Sequence, residues 1–388
     1  MDAAITGWAH TRFGRLEDET AETLIGQVAE EALGHAGLDP AEVDAVFVGT
    51  FNEGFSPQGF PSTLASLRVG ELRHAPSVRL ENACATGSAA IHAALDALAA
   101  RRIRTALVIG VEKMTAVSGA EVGDILLKAS YVPEEADIEG GFAGMFGRIA
   151  ELYFQRYGDR RDALARIAAK NHANGAQNPL AHIQKDLGYE FCATVSDKNP
   201  IVAGPLRRTD CSLVSDGAAA LVITDLDHAW HAPRAIGFRA TAHVSDYMPI
   251  SRRDVIAFEG ARKAWGEALD RSRLSLDDLS FVETHDCFTI AELIEYEAMG
   301  LADPGEGARV IEEGVTEIGG RLPVNPSGGL KAKGHPVGAT GVSMHVMAAR
   351  QLCDEPAGAP VPDATTAGVF NMGGTAVANY VSIIERLR

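Results

Sequence analysis

The sequence has few cysteines and no long apolar run, and each shortage excludes a class of protein. Its five cysteines among 388 residues are odd in number and form no CxxC pair, which favours neither a disulfide framework nor a metal site such as zinc. No apolar run approaches membrane-spanning length, and the first residues lack the basic and apolar regions of a secretory signal. We therefore expect a cytosolic protein without a membrane partner.

Positive charge is also scarce. Lys and Arg number 35 against 52 Asp and Glu, which gives a formal net charge of −17. Such a charge repels nucleic acid, and no cluster of basic and aromatic residues counters it, so we expect no nucleic-acid partner. With 46% hydrophobic residues, the chain is long enough for two or three domains with full apolar cores.

Two segments of the chain resemble each other. Residues 32–48 and 268–282 each combine the pattern of an amphipathic helix, a short turn and an apolar strand. Asp39 and Ser275 are candidate helix caps at matching places in the two turns. The repetition predicts two similar halves.

A second pair of segments supports this division. The small-residue runs 85–90 and 339–344 each predict a helix that leads to a short apolar strand, at 106–110 and 368–370 respectively. Short apolar strands are typical of a sheet covered by helices on both faces. The alternation of helix and strand predicts an α/β protein.

Cys84 and His335 occupy matching places in the two predicted halves. Cys84 follows a predicted strand and opens a helix, where free N–H groups and the helix dipole would stabilise a thiolate. Turn residues place His335 before the equivalent helix of the second half, where it can act as the base for Cys84. A small buried cysteine and a structural histidine are the alternative interpretation.

Two further clusters follow predicted strands of the second half. His285, Asp286 and Cys287 stand at the carboxyl end of one strand, where α/β sheets place ligand-binding loops. Gly373 and Gly374 follow the last apolar strand, and glycines there let backbone N–H groups approach a substrate oxygen. A helix cap, a core cysteine and a plain turn are the alternatives for these residues.

The order of these motifs resembles the thiolase superfamily, specifically the sterol-carrier-protein-type thiolases, whose histidine-aspartate-cysteine-phenylalanine motif matches residues 285–288. The resemblance covers essentially the whole chain. It implies an α/β thiolase fold, in which two similar halves form a five-layered αβαβα arrangement with an inserted loop domain. The expected divisions are an N-terminal half (1–112 and 206–228), the loop domain (113–205) and a C-terminal half (229–388).

The resemblance also implies a role for each candidate residue. Cys84 accepts the acyl group of an acyl-CoA, His335 takes its proton, and Cys287 is the second acid or base. His285 and His335 hold the enolate oxygen, while the backbone N–H groups of Cys84 and Gly373 hold the tetrahedral intermediate. The implied reaction is Claisen condensation, or the reverse thiolysis of a 3-ketoacyl-CoA, as in lipid and fatty acid metabolism.

Coenzyme A and its acyl thioester are the implied substrates, with no permanently bound cofactor and with the residues that contact coenzyme A unassigned. A homodimer or tetramer is implied, and a small OB-fold partner protein is compatible with the sequence. Three alternatives stay open. They are a decarboxylating ketoacyl synthase that uses Cys84, His285 and His335, a partner-dependent acyltransferase, and a non-catalytic protein that binds acyl-CoA or lipid.

Overall fold

The computed structural model describes residues 2–388. Its strands, numbered in chain order, are β1 (Ala3–His10), β2 (Ala45–Gly49), β3 (Ser77–Leu80), β4 (Thr105–Lys113), β5 (Ile201–Ala203), β6 (Leu206–Arg207), β7 (Asp216–Asp225), β8 (Ile236–Ser245), β9 (Phe281–Glu283), β10 (Thr366–Gly373) and β11 (Ala378–Arg386).

The α-helices are numbered in the same way. They are α1 (Ala21–Ala36), α2 (Ala65–Arg68), α3 (Thr86–Ala99), α4 (Gly119–Leu127), α5 (Val132–Glu135), α6 (Gly141–Tyr157), α7 (Arg161–Gly175), α8 (Gly188–Ala193), α9 (Leu226–Ala229), α10 (Glu259–Ser272), α11 (Thr289–Met299), α12 (Gly307–Glu312), α13 (Gly329–Lys333) and α14 (Thr340–Leu352). None of the helices within residues 2–388 is long and apolar enough to cross a membrane.

The main sheet repeats one strand arrangement on either side of its centre. Its order is β3-β2-β4-β7-β1-β8-β11-β10-β9, and β1 joins β8 at the middle. Outward from that junction, β1-β7-β4 pair antiparallel and β4-β2-β3 parallel. In the other half, β8-β11-β10 pair antiparallel and β10-β9 parallel. The order and direction of four strands are the same in both halves, and β3 is an additional strand at the edge of the first half. This match confirms the prediction of two similar halves.

Helices α3 and α14 form the central layer. Helix α14 contacts β4 and β7 of the first half as well as β10 of the second, whereas α1 covers the first-half strands and α10 the second-half strands from outside. Strands β4, β7 and β10 are consequently buried on both faces, and every residue of β4 is buried. Burial on both faces explains why their sequences are continuous apolar runs and do not alternate between apolar and polar residues. The five-layered α/β arrangement predicted from the sequence is confirmed.

The starts of the two central helices touch through their backbones. A Cβ atom added at Gly87 would lie only 2.6 Å from the backbone nitrogen of Val342 in α14. No side chain fits at that distance, so glycine is what allows the approach. The loops immediately before α3 and α14, which carry Cys84 and His335, are thereby brought together.

Helices α4 to α8 and the hairpin β5-β6 lie in the chain between β4 and β7. In this inserted segment, α6 and α7 pack against α11 of the second half, and α7 also packs against α13. The segment therefore lies over the part of the second half that follows β9 and precedes His335. The exact domain divisions stay a prediction.

Candidate active site

A tight turn between β3 and α3 holds Cys84. Ala83 adopts a left-handed conformation with φ of 50°, which costs about 1–3 kcal/mol and persists only where neighbours impose it. The hydroxyl of Thr86 imposes it here, because Thr86 Oγ1 accepts from the Asn82 N–H at 2.7 Å and donates to the Ala83 carbonyl at 2.6 Å. Cys84 follows directly and is only 4% exposed.

His335 lies in the equivalent loop of the second half, between α13 and α14. Its Nδ1 atom lies 2.7 Å from Thr340 Oγ1, and that hydroxyl donates to the Pro336 carbonyl at 3.0 Å. Gly334, at φ 109°, lets the chain turn before it. The ring is thus held through Nδ1, and Nε2 remains for the site.

The loop after β9 carries His285, Asp286 and Cys287, all of them buried. The Asp286 carboxylate accepts from the backbone N–H groups of Leu330 at 2.6 Å and Lys331 at 3.1 Å, both in α13. Asp286 therefore ties the loop of His285 and Cys287 to the helix that precedes His335. Asp286 therefore caps the start of α13, which agrees with the helix-cap alternative named for this residue in the sequence analysis.

The structure brings the four predicted catalytic side chains together. The Cys84 sulfur and one ring nitrogen each of His285 and His335 all lie within 4.8 Å of one another. The two imidazoles meet edge to face, with ring centroids 5.1 Å apart. Cys287 lies on the wall of the same cavity as Cys84 and His335, and the volume of this cavity is about 160 Å³.

The wall of this cavity is otherwise largely apolar. Apart from the predicted catalytic residues, it is formed by Met114, Leu126, Phe142, Ala143, Val202, Cys211, Ser212, Leu213, Val214, Phe288 and Val337. Several of these come from the inserted segment, so that segment closes the site from one side. An apolar enclosure strengthens every electrostatic interaction inside it.

Burial keeps the reacting groups neutral. It raises the pKa of the Cys84 thiol to about 12, although a hydrogen bond from the Gly374 backbone lowers it. Burial likewise lowers the pKa of His335 to about 3, and that of His285 well below its usual value. The expectation that the start of α3 stabilises a thiolate is therefore wrong for the resting site, because loss of water outweighs the helix start.

Gly373 and Gly374 lie against the turn that carries Cys84. A Cβ atom at Gly373 would approach the Asn82 carbonyl oxygen to 2.5 Å and the Ala85 nitrogen to 3.4 Å. Gly374 supplies the backbone hydrogen bond to the Cys84 sulfur. Both glycines are thus placed beside the nucleophile, and the oxyanion role predicted for Gly373 stays a prediction.

The Cys84, His285 and His335 side chains are also of the types that ligate zinc. Their ligand atoms lie within 4.8 Å of one another. The absence of a metal from the working site remains a prediction.

Glu112 at the end of β4 is a residue that the sequence interpretation missed. Its carboxylate accepts from the backbone N–H groups of Phe51 at 2.9 Å, Asn52 at 3.0 Å and Gly338 at 3.0 Å. It therefore joins the loop after β2 to the loop that carries His335. A single carboxylate in an otherwise apolar strand was the signal available in the sequence.

A buried ion pair and a neighbouring hydrogen bond under the second-half loops were also missed. Lys170 of α7 lies 2.6 Å from Glu292 of α11, and Asn171 donates to Asp286 at 2.8 Å. Both residues belong to the inserted segment, which is thereby tied to the floor of the site. Breaking one partner of such a buried pair typically costs several kcal/mol.

Comparisons with known proteins agree with this geometry. The family model described as "Thiolase, N-terminal domain" matches residues 3–189, and the model described as "Thiolase C-terminal domain-like" matches residues 242–386. An acetyl-CoA acetyltransferase of Methanothermobacter thermautotrophicus is 34% identical over 388 residues, which cover 99% of this chain and 100% of that protein.

More distant relatives extend the comparison. Sterol carrier protein 2 of Bos taurus is 29% identical over 95% of this chain and 69% of its own length. A solved structure of the Ltp2-ChsH2(DUF35) aldolase has a TM-score of 0.83 at 22% identity, with 100% of this chain and 98% of that chain covered. On the two family models and the full-length relative, the chain belongs to the thiolase family of acyltransferases.

Proposed function

We propose that the protein transfers an acyl group from an acyl-CoA to Cys84 and then catalyses Claisen condensation, or runs the reverse thiolysis of a 3-ketoacyl-CoA. The observation that carries this proposal is the meeting of Cys84, His285 and His335 within 4.8 Å, in a cavity that Cys287 also lines. The acetyl-CoA acetyltransferase relative supports an acyl-CoA substrate.

The hydrogen bonds of Thr340 support His335 as the base. A hydroxyl has one hydrogen, and Thr340 donates it to the Pro336 carbonyl, which can only accept. Thr340 must then accept from Nδ1–H of His335. The neutral ring therefore has its lone pair on Nε2, the atom left to face Cys84.

Acylation then proceeds from a neutral thiol and a neutral imidazole. As the sulfur of Cys84 attacks the thioester carbonyl, its proton passes to Nε2 of His335. The tetrahedral intermediate collapses, the bond from carbon to the coenzyme A sulfur breaks, and His335 returns the proton to that sulfur. Backbone N–H groups of Cys84 and Gly373 stabilise the transient oxyanion, and loss of one such donor typically costs ~10²–10³ in rate.

Cys287 is proposed as the second acid or base. Burial raises the pKa of its thiol well above the usual value, so the resting group carries a proton that it can donate to a carbanion during thiolysis. In condensation the thiol must first release that proton to solvent, and the resulting thiolate takes the α-proton of the second acyl thioester and is neutral again. The Cys84 thiolate that leaves the acyl group takes up a proton in its turn. A decarboxylating ketoacyl synthase would need no such base.

The test is the intact mass of the protein after brief incubation with acetyl-CoA, acetoacetyl-CoA, a longer acyl-CoA and malonyl-CoA. We expect an acyl adduct that is absent from Cys84→Ala, while Cys287→Ala still forms the adduct but loses condensation and thiolysis. Equal loss of acylation in both variants would refute this division of roles. Turnover of malonyl-CoA would favour the ketoacyl synthase, and no adduct from any donor would favour a partner-dependent or non-catalytic protein.

Two features support proposals about partners. Strand β3 is an open edge of the main sheet, and Val78 on it is exposed, as is Phe60 nearby in the chain. An open edge with exposed apolar side chains is a ready surface for a second copy, and we propose a homodimer there. The likeness to the Ltp2-ChsH2(DUF35) aldolase supports a small partner protein as the second proposal.

A further inference from the structure

Asn371 of β10 connects the nucleophile loop to His285. Its Oδ1 atom accepts from the Ser88 hydroxyl at 2.8 Å. Its Nδ2 atom donates to the backbone carbonyl of Cys84 at 3.1 Å and lies 2.9 Å from Nδ1 of His285. The side chain is fully buried, so no solvent contact competes with these partners.

The partners fix which way the amide of Asn371 points. A backbone carbonyl can only accept a hydrogen bond, so the atom that faces the Cys84 carbonyl must be the amide nitrogen. The Ser88 hydroxyl is free to donate to the remaining amide oxygen. The reverse orientation would place the amide oxygen of Asn371 3.1 Å from the carbonyl oxygen of Cys84, and both of these atoms can only accept.

The orientation of the amide in turn fixes the proton of His285. The amide nitrogen carries two hydrogens, one for the Cys84 carbonyl and one for Nδ1 of His285. Nδ1 must therefore hold a lone pair, and the proton of the neutral imidazole is on Nε2. His335 is in the opposite state, because its Nδ1 donates to Thr340.

We infer that Asn371 is a positioning residue that holds His285 as the Nε2–H tautomer, opposite to the tautomer of His335. The site then presents two unlike imidazoles. His335 offers a lone pair that takes the proton of Cys84, so in this neutral state it cannot also donate to the enolate oxygen as the resemblance implies. His285 offers the N–H that donates to the enolate oxygen formed in the second half-reaction. The catalytic part of this role rests on the proposed function, whereas the tautomer does not.

The tautomer can be read on the resting protein by long-range ¹H–¹⁵N NMR of ring-labelled histidine, with His285→Gln used to assign one signal among 12 histidines. We expect the Nε2–H pattern for His285 in the wild type and the Nδ1–H pattern in Asn371→Asp at pH above 8, where an ionised carboxylate accepts from Nδ1. Ser88→Ala should keep the wild-type pattern, because the Cys84 carbonyl still orients the amide. A wild-type Nδ1–H pattern would overturn the inference without any variant.

The catalytic consequence is measured on the same variants. Exchange of the α-protons of acetyl-CoA with solvent reports enolate formation, and intact mass reports acylation of Cys84. We expect Asn371→Asp to lose ~10²–10³-fold in exchange, the cost of one oxyanion donor, and to lose much less in acylation. Equal losses in both would reduce Asn371 to a structural residue, and failure of wild-type acylation would refute the proposed function while leaving the tautomer result intact.

Discussion

Cys84 and His335 start from the neutral pair rather than from thiolate and imidazolium. Burial raises the pKa of the thiol to about 12 and lowers that of the imidazole to about 3. A thiolate and imidazolium pair would place two charges in a buried site, which costs free energy. A proton transfer that is concerted with attack creates negative charge only as the sulfur reacts with a carbonyl, whose oxygen then carries that charge.

This neutral state predicts how Cys84 responds to pH. Below its pKa, the thiolate fraction of a thiol rises about tenfold for each pH unit, and the thiolate is the form that reacts. We expect alkylation of Cys84 by iodoacetamide to become faster from pH 6 to pH 9 without levelling off. Mass spectrometry of the labelled peptide gives the rate, and Cys84→Ser is the blank. A plateau below pH 8 would show a preformed thiolate and contradict the prediction.

The four reactive side chains could be predicted from the sequence because each lies in a short loop next to a recognisable element. Cys84, His285 and Cys287 come after strands, where α/β sheets build their sites, and His335 comes just before the helix that matches the helix after Cys84. Glu112 and Asn371 could not be assigned roles in this way. The meaning of each depends on residues far along the chain, Gly338 for Glu112 and His285 for Asn371. No local pattern reports which loops will lie against a given strand.

Among the elements, the contact between α3 and α14 sets the distance between nucleophile and base. Each helix begins just after its catalytic residue, and their backbones touch at Gly87. The carboxylate of Glu112 in β4 ties the loop before α14 to the loop after β2. The geometry of the site is thus set by backbone contacts and by the buried carboxylates of Glu112 and Asp286.

Gly87→Ala tests this contact. The added methyl would lie 2.6 Å from the Val342 nitrogen, so the helices must separate, and overpacking of this kind typically costs about 1–3 kcal/mol of unfolding free energy. We expect that loss in chemical denaturation, together with slower acylation of Cys84. The matched control is Gly123→Ala in α4, where nothing lies within 4 Å of the added atom. Equal stability of the two variants would argue against a tight contact.

For the whole molecule, the sequence repeat predicted the two halves and the family resemblance implied the five layers, and the structure confirms both. It did not predict that β1 and β8 pair, which joins the halves into one sheet. That pairing involves strands from opposite halves, and periodicity within one segment carries no information about it. The packing of α6 and α7 on α11 could not be predicted either, because it also joins segments that are far apart in the sequence.

The proposed dimer is a prediction at this scale. Strand β3 leaves one edge unpaired, and Val78 on that edge is 43% exposed. A lysine there opposes edge-to-edge association, so we expect Val78→Lys to shift the protein from dimer to monomer in sedimentation velocity. Trp230→Lys, a change at an exposed residue beside α9, serves as the control. A monomeric wild type, or equal effects of both changes, would contradict the interface.

The matching positions of Cys84 and His335 bear on how such a site can arise. Duplication of a chain places two identical helix starts opposite each other. Two identical side chains at those positions do not form a proton donor and acceptor pair. Replacing one side chain in a single copy makes the pair unequal, one partner able to give a proton and the other to take it. In this arrangement, a difference between two side chains at matching helix starts is enough to form a proton donor and a proton acceptor.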